Sequence, residues 1–354
     1  MKRALGIALL LALAGALLAA GLVWNAWHTP YRGYGDEAVF VEIPRGMASA
    51  GIAHVLADRG VVRNRLVFEL LCRFRSGARL QAGEYRFDRA LTPDEVFGMI
   101  AEGRVYVHSI TIPEGWTMFE VADLLEKEGF GKRQEFLSVA EKADLLRDLA
   151  PRARSLEGFL FPATYQFPRR ATAATIAEAM VAHFRQVWGR LARENAGELT
   201  PSEIVTLASL VEREARVAEE RPLIAGVYMN RLKKGMALQC DPTVIYALEL
   251  AGKWDGKIGH ADLRFASPYN TYVNRGLPPG PIANPGEASL RAALHPSETR
   301  FLYFVADTLG RHFFSETLEE HSRNVRRYLR LLDDNGASHP ASAALGAAKA
   351  GKRK

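Results

Sequence analysis

The sequence has few of the residues that build disulfide frameworks or metal centres. It holds two cysteines, Cys72 and Cys240, among 354 residues. His295, His312 and His321 lack the close spacing of metal ligands. Two cysteines do not make a disulfide framework, and a structural zinc site needs more cysteine and histidine ligands. We therefore predict free, buried thiols, no metal, no cofactor, and a fold that depends on hydrophobic cores.

The body of the chain also lacks a net charge. Six basic residues near its two ends equal the whole formal charge of +6: Lys2, Arg3, Lys349, Lys352, Arg353 and Lys354. A body without net charge has no electrostatic footprint for nucleic acid, so we predict no nucleic-acid partner. Residues 335–354 are rich in Ala, Ser, Gly and Lys without apolar periodicity, which predicts a disordered basic tail.

One long apolar run stands near the start of the chain. It extends from Ala4 to Trp24, and about 20 apolar residues are enough to cross a bilayer as a helix. Lys2 and Arg3 precede it, which predicts a cytoplasmic start and an exported body. A cleaved signal peptide is the alternative. However, the Ala-x-Ala patterns lie inside the run, and an aromatic belt formed by Trp24 and Trp27 favours a membrane anchor within residues 1–30.

The first half contains an internal repeat. The tetrapeptide Ile-Pro-Arg-Gly at residues 43–46 returns as Ile-Pro-Glu-Gly at residues 112–115. Each copy predicts a strand, a Pro-x-Gly turn and a helix ended by a glycine, Gly60 in the first copy and Gly129 in the second.

A further strand and helix are predicted between the two copies. Residues 82–87 read as a strand, and residues 91–102 as a helix with Thr92 and Glu95 in its capping box. Strand–helix–helix–strand units of this size resemble LysM modules, which bind glycans that contain N-acetylglucosamine. We predict a LysM-like domain over residues 38–150. The alternative is an α+β spacer without glycan contact, since a supersecondary unit does not prove binding.

The second half, residues 151–334, is a second predicted α+β domain. Its segment 158–165 has strand-like composition, and residues 267–286 form a loop rich in glycine and proline. The remaining predicted elements are helices over 172–193, 201–217 and 318–332 and strands over 301–306 and 312–315.

The helix that begins at Pro201 carries the first candidate catalytic groups. Thr200 and Glu203 form a capping box at its start. Glu212 and Glu214 each lie at the border of its apolar stripe, where partial burial raises the pKa of a carboxyl toward that of a general acid. The spacing does not choose between the two glutamates. The alternative is an ordinary solvated face.

Several motifs in order resemble the endolytic murein transglycosylase (YceG-like) family. They are Leu-Ala-Ser-Leu-Val-Glu-Arg-Glu at 207–214, the segment 230–246 that ends in Asp-Pro-Thr-Val-Ile-Tyr, Tyr-Asn-Thr-Tyr at 269–272, Gly-Leu-Pro-Pro-Gly-Pro-Ile-Ala-Asn-Pro-Gly at 276–286, and Leu-Tyr-Phe-Val-Ala-Asp at 302–307. The resemblance covers about residues 1–333. It implies an inner-membrane anchor, a periplasmic LysM-like half and a catalytic half, and it assigns the acid/base to Glu212.

A fainter resemblance points to lysozyme-like lytic transglycosylases. Those enzymes carry a catalytic Glu, a Gln-containing segment and a Tyr-Asn segment in the order found here for Glu212, Gln239 and Tyr269-Asn270. The resemblance implies that Gln239, Tyr269 and Asn270 line a saccharide cleft. Tyr272 is a further candidate, either stacked on a sugar ring or buried in a strand.

The function that the resemblance implies is internal cleavage of nascent peptidoglycan strands at the MurNAc-β-1,4-GlcNAc bond with formation of 1,6-anhydro-MurNAc. Membrane-bound peptidoglycan synthases are then expected partners. Two alternatives stay open. One is a non-catalytic peptidoglycan-binding scaffold, and the other is a hydrolytic muramidase, which needs a second carboxylate close to the acid.

Overall fold

A computed structural model describes residues 2–35, 37–75, 77–194, 199–307 and 310–334. The basic tail predicted from residue 335 onward lies outside the described residues. The fold is α+β, as the sequence predicts. Over the described residues the strands are β1 (Val39–Ile43), β2 (Gly83–Phe87), β3 (Val107–Thr111), β4 (Thr164–Pro168), β5 (Tyr303–Ala306) and β6 (His312–Ser315). They form three two-stranded sheets, β1–β2, β3–β4 and β5–β6.

The helices make up most of the described structure. The first six are α1 (Lys2–His28), α2 (Ser49–Asp58), α3 (Arg65–Phe74), α4 (Pro93–Ala101), α5 (Met118–Lys127) and α6 (Arg133–Ala140). The others are α7 (Ala173–Leu191), α8 (Pro201–Glu214), α9 (Arg221–Lys233), α10 (Asp241–Leu250), α11 (Glu287–Leu294) and α12 (Leu318–Asp334).

The chain divides into two compact units. Unit 1 comprises Met1–Ser109 with Gln166–Ala171, and unit 2 comprises Ile110–Tyr165 with Thr172–Lys354. The domain boundary that the sequence predicts, after residue 150, differs from this division into units. The assignment of a LysM-like and a catalytic domain stays a prediction.

Unit 1 is built around the paired strands β1 and β2 and three short helices. β1 and β2 are antiparallel, with Val41 opposite Tyr85. Their buried side chains join those of α2, α3 and α4 in one hydrophobic core. The predicted capping box of α4 is present, since the Thr92 side chain accepts from the Glu95 N–H and the Glu95 carboxylate accepts from the Thr92 N–H.

Both copies of the internal repeat fold as strand, turn and helix. β1 leads through the first Pro-x-Gly turn to α2, and β3 leads through the second to α5. Gly60 and Gly129 follow these helices with φ of +68° and +77°. Glycine adopts this left-handed conformation without strain, which ends the helices as predicted.

The helix α1 is the candidate membrane anchor. Within it, Leu10–His28 has a mean hydropathy of 1.8, and it is the only described helix that is long and apolar enough to cross a membrane. Its length and hydropathy are compatible with a single-pass anchor.

Unit 2 places α8 in its interior. Thr200 caps the helix, Pro201 occupies its first turn and Glu203 completes the predicted capping box. Eight consecutive residues, 204–211, are buried on all sides, and α8 packs against α9, α10 and α11. The predicted helix 201–217 is too long, because Ala215 is extended (φ −72°, ψ 121°) and α8 ends at Glu214.

The prediction of a strand over residues 158–165 is wrong for most of its length. Residues 158–163 form a loop, and β4 begins only at Thr164. Phe159 and Leu160 are fully buried in this loop, so their apolar character results from packing in the core and not from strand pairing in a sheet. Gly158 has φ +84°, which breaks an extended run.

The two cysteines are free thiols, with Cys240 buried and Cys72 half-buried. The predicted C-terminal strands and helix are present as β5, β6 and α12, with β5 antiparallel to β6. Helix α12 packs against both strands.

Candidate active site

The C-terminal end of α8 presents two glutamates to different surroundings. Glu212 and Glu214 are two positions apart, which is a rotation of about 200° around a helix. Because α8 is buried up to Val211, both side chains leave the helix close to the interior of unit 2. Neither side chain lies on an ordinary solvated face, which was the alternative interpretation of the sequence.

Glu212 takes part in a buried ion pair. Its Oε1 accepts from Arg221 Nη2 at 3.2 Å, and the side chains are 5% and 15% exposed, respectively. Its Oε2 accepts from the Gly286 N–H at 3.0 Å. Arg221 also donates from Nε to Ser289 Oγ at 3.1 Å. Both carboxylate oxygens of Glu212 are therefore occupied by protein donors.

A second carboxyl, Glu114, lies beside this ion pair. A Cβ added to Gly286 would stand 1.9 Å from Glu114 Oε1, so the Glu114 carboxyl packs directly on the Gly286 backbone. Burial raises the pKa of Glu114, and the charge of Glu212 raises it further, whereas Arg221 lowers it. In the sequence, residue 114 is distinguished only as part of the repeat. The repeat offered one signal, because its two copies differ at this position: the first copy has Arg45 where the second has Glu114.

The loop 276–286 is held against the segment that carries Glu114. Asn284 is fully buried, and its Nδ2 donates to Trp116 O at 2.8 Å and to Glu157 Oε1 at 3.0 Å. The Gly115 N–H donates in turn to Asn284 O at 2.9 Å. Glu157 also accepts from the Met118 N–H, and burial raises its pKa to about 8. These bonds fix the position of Gly286, whose backbone contacts the carboxyls of both Glu114 and Glu212.

Glu214 lies in different surroundings, at a cavity of about 220 Å³. Its Oε1 accepts from the Tyr228 hydroxyl at 3.2 Å and from Cys240 Sγ at 3.4 Å. Its other oxygen has no hydrogen-bond partner among the described residues. Burial raises the pKa of Glu214, and the nearby Asp241 carboxylate raises it further. We call this cavity the glutamate cavity; Gln239, Asp241 and Tyr272 also line it.

Gln239 is held in this cavity by a strained backbone. Its φ of +51° makes it the one described non-glycine residue with positive φ, and such strain is concentrated at functional sites. The Gln239 N–H donates to Thr271 O at 3.2 Å. Arg231 Nη1 donates to Leu238 O at 2.8 Å and approaches Gln239 Oε1 at 3.5 Å.

Tyr272 and Asp241 form a hydrogen-bonded pair on the same cavity. The Tyr272 hydroxyl donates to Asp241 Oδ1. Burial raises the pKa of both groups. The structure therefore brings two of the predicted substrate-binding residues, Gln239 and Tyr272, together with Glu214.

Asn270 and Tyr269 form contacts with other residues of the protein in this structure. Asn270 is fully buried, and its Nδ2 donates to Leu263 O at 3.1 Å and to Phe265 O at 2.9 Å. Its Oδ1 accepts from the Tyr272 N–H at 2.9 Å. The Tyr269 ring packs edge-on against the Tyr246 ring at 5.0 Å. Neither Asn270 nor Tyr269 lines the glutamate cavity, and a contact of either with substrate stays a prediction.

No group of three or more metal-ligating side chains that could hold a metal is found among the described residues. Glu220 Oε2 accepts from His312 Nδ1 at 2.7 Å, in a buried pair.

Comparison with known proteins identifies similar chains. The model of the YceG-like family matches residues 41–327. An endolytic murein transglycosylase of Bacillus subtilis (strain 168) is 33% identical over 308 residues, covering 82% of this chain and 85% of its own. An endolytic murein transglycosylase of Streptococcus pneumoniae serotype 2 is 31% identical over 356 residues, covering 89% of this chain and 63% of its own.

A similar protein is also known from a crystal structure. It is a YceG-like protein from Listeria monocytogenes with 34% sequence identity and a TM-score of 0.55. The match covers 82% of this chain and all of that one.

Proposed function

This chain belongs to the YceG-like family, and we propose that it is a peptidoglycan lytic transglycosylase that cuts glycan strands internally. The bond cleaved is the β-1,4 bond between MurNAc and GlcNAc. The observation that carries the proposal is Glu214, a carboxyl with a raised pKa and one unpaired oxygen at a cavity that Gln239 and Tyr272 also line. Homologues named endolytic murein transglycosylases support the substrate class.

The reaction needs one carboxyl acting in both directions. The neutral acid gives its proton to the glycosidic oxygen as the bond to C1 of MurNAc breaks. The resulting carboxylate then takes the proton of the MurNAc C6 hydroxyl, whose oxygen forms the new bond to C1. The products are a GlcNAc hydroxyl end and a 1,6-anhydro-MurNAc end, and no water is consumed.

We infer that Glu214 is this acid. The resemblance assigns the role to Glu212, and that assignment stays a prediction. Glu212 has both oxygens occupied, one of them by a guanidinium, so it presents no free oxygen to a sugar. Glu214 has a free oxygen, and its surroundings favour the neutral form that a proton donor requires.

Hydrolysis by a muramidase mechanism is the second candidate. It requires a second carboxylate that activates water or attacks C1. Each glutamate has such a neighbour, Asp241 for Glu214 and Glu114 for Glu212. Asp241 accepts from the Tyr272 hydroxyl, which leaves it less free to act as a base. This bond favours the water-free reaction.

The experiment follows the fate of water with the full chain in detergent. Purified glycan strands are digested in isotopically labelled water, and the ends are analysed by mass spectrometry. Unlabelled 1,6-anhydro ends support the proposal, and labelled reducing ends support the muramidase. Glu214→Gln, Glu212→Gln and the exposed control Glu178→Gln are compared, and a chain that binds strands without cutting them would be a scaffold.

We also propose that residues 39–87 and 107–168 are LysM-like. Support comes from the order strand, helix, helix, strand in both segments and from the antiparallel pairing of β1 with β2. The catalytic half is proposed to be lysozyme-like from the order of Glu, Gln and Tyr-Asn. Binding of the full chain to uncut strands, compared with a variant that carries charged residues on the exposed side of α2, tests the first part.

The proposed location is the inner membrane, with a cytoplasmic N-terminus, a periplasmic body and peptidoglycan synthases as neighbours. The apolar helix α1 and the basic residues Lys2 and Arg3 in its first turn support this arrangement. Anchoring would hold the site near emerging strands and raise their local concentration. Protease added to spheroplasts should digest the body. A form released into the same compartment should shorten strands less than the anchored chain does.

A further inference from the structure

A second cavity, of about 380 Å³, adjoins the glutamate cavity. Arg231, Gln239, Tyr272 and Phe304 line both cavities. We call the second one the arginine cavity, because Arg231 and Arg275 lie on its wall together with Tyr303 and His321. We propose that the arginine cavity binds a carboxylate carried by the muramoyl residue of the substrate. This inference rests on the proposed function.

Arg231 is a buried cation without an anionic partner. The residue is 7% exposed. Its Nε donates to Leu302 O at 2.6 Å, and its Nη1 donates to Leu238 O at 2.8 Å and Ala237 O at 3.2 Å. These acceptors are neutral carbonyls, and within the described ranges Arg231 forms no ion pair. Buried charges are normally paired, because an unpaired one loses its hydration without compensation.

Arg275 adds to the positive potential of the wall, and none of the other residues that line the arginine cavity supplies an anion. Arg275 is exposed and forms no ion pair with any described residue. His321 stacks on the Tyr303 ring at 5.2 Å, and its Nδ1 is buried without a hydrogen-bond partner. Burial and, to a smaller extent, the charge of Arg231 lower the pKa of His321 to about 4, so His321 is neutral at pH 7. A neutral imidazole with its proton on Nδ1 is a donor that an anion would satisfy.

The position of the cavity selects the part of the substrate. The transition state at C1 of MurNAc is a developing cation, which a second arginine would oppose. Arg231 lines both cavities, but Arg275 lines only the arginine cavity. The arginine cavity therefore suits a substituent of the ring and not C1 itself. Gln239 and Tyr272 stand between the cavities, so a sugar beside Glu214 would extend its substituent past them toward Arg231.

The muramoyl residue offers carboxylates from two sources. A peptide-free residue ends its lactyl group in a carboxylate, and a peptide-bearing residue carries carboxylates on its stem peptide. Two guanidinium groups suit either source, since arginine binds carboxylates through paired hydrogen bonds. The alternative for Arg231 is a purely structural one, in which it only braces the backbone at residues 237–239.

The test measures binding apart from turnover. Full-length Glu214→Gln is titrated with short glycan strands in four forms: peptide-free with free lactyl carboxylates, peptide-free with the lactyl groups converted to methylamides, peptide-bearing, and peptide-bearing with the peptide carboxylates amidated. Arg275→Gln is added to this background because Arg275 is exposed and has no described bonds to lose. Arg264→Gln, another exposed arginine of unit 2, is the matched control.

We expect the free carboxylate to improve binding by about tenfold in one of the two pairs, as for a charge-assisted hydrogen bond. The pair that shows the difference identifies the source. Arg275→Gln should remove most of this preference and leave the Kd of the neutral form unchanged, whereas Arg264→Gln should keep the preference. Equal binding of charged and neutral forms in both pairs would overturn the inference.

Measurements with the same glycan strands distinguish a failure of this inference from a failure of the proposed function. If the wild-type chain cuts no strand but the inactive background still prefers the carboxylate, the function fails and the carboxylate site stands. If strands are cut while Arg275→Gln changes no Kd, the function stands and the site fails. Arg231→Lys keeps the charge but loses the planar donors, so a loss of preference in a folded variant adds support.

Discussion

Replacing each glutamate of α8 with glutamine should separate a structural role from a catalytic one. Glu212→Gln removes the anion that pairs with Arg221, a side chain only 15% exposed. Breaking a buried ion pair by removing one partner costs about 3–5 kcal/mol. The glutamine oxygen can still accept from the Gly286 N–H, so we expect the lower end, about 3 kcal/mol.

The thermal consequence of Glu212→Gln can be estimated from the size of unit 2. In a domain of roughly 150–250 residues each kcal/mol shifts Tm by about 2–4 °C. We therefore expect Tm to fall by about 6–12 °C, with some loss of turnover because Gly286 and Glu114 lose a fixed neighbour.

Glu214→Gln should behave in the opposite way. Burial disfavours the charged form of Glu214. A raised folded-state pKa means that stability is lost as pH rises through that pKa, so a neutral glutamine should keep or raise Tm at neutral pH. Turnover should fall by about 10²–10⁴-fold, the usual contribution of a general acid or base.

The assay combines calorimetry with turnover measured well below the lower Tm. Glu178→Gln, on the exposed side of α7, should change neither quantity. The assignment of the acid to Glu214 would be wrong if Glu214→Gln kept turnover while a folded Glu212→Gln lost more than about a hundredfold. Glu212 would then be the acid, as the resemblance implies.

Three further outcomes test the surroundings of the site. The pKa of Glu157 is about 8 in the folded protein, against 4.5 for an unperturbed group; stability should fall as pH rises between these values, and Glu157→Gln should flatten Tm against pH there, an unchanged slope contradicting the assignment. Gly286→Ala places a Cβ 1.9 Å from Glu114 Oε1; urea unfolding should show a loss of about 1–3 kcal/mol that largely disappears in a Glu114→Ala background. Asn270→Ala removes the side-chain donor to the carbonyls of Leu263 and Phe265, at about 1–3 kcal/mol for a carbonyl left unsatisfied, so Tm should fall with KM unchanged; a raised KM at constant Tm would instead support the predicted sugar contact.

Local chemistry in the sequence was sufficient for much of the fold. The capping boxes at Thr92 and Thr200 use side chains three residues from their partners, and a helix start of this kind forms wherever the helix packs. The glycine ends at Gly60 and Gly129 depend only on backbone conformation. The repeat, the long apolar helix α1 and the α+β class followed from such short-range patterns. The strand over residues 158–163 did not, because buried loops and strands share an apolar composition.

The identity of the site depended on contacts between distant parts of the chain. Helical periodicity places Glu212 and Glu214 equally near the apolar border, and only packing gives Arg221 to the first and the glutamate cavity to the second. Glu114 reaches Glu212 from 98 positions away in the chain, through a loop held by Asn284. A carboxyl becomes an acid or an ion-pair partner according to its neighbours, and sequence spacing does not specify neighbours that the tertiary fold brings together.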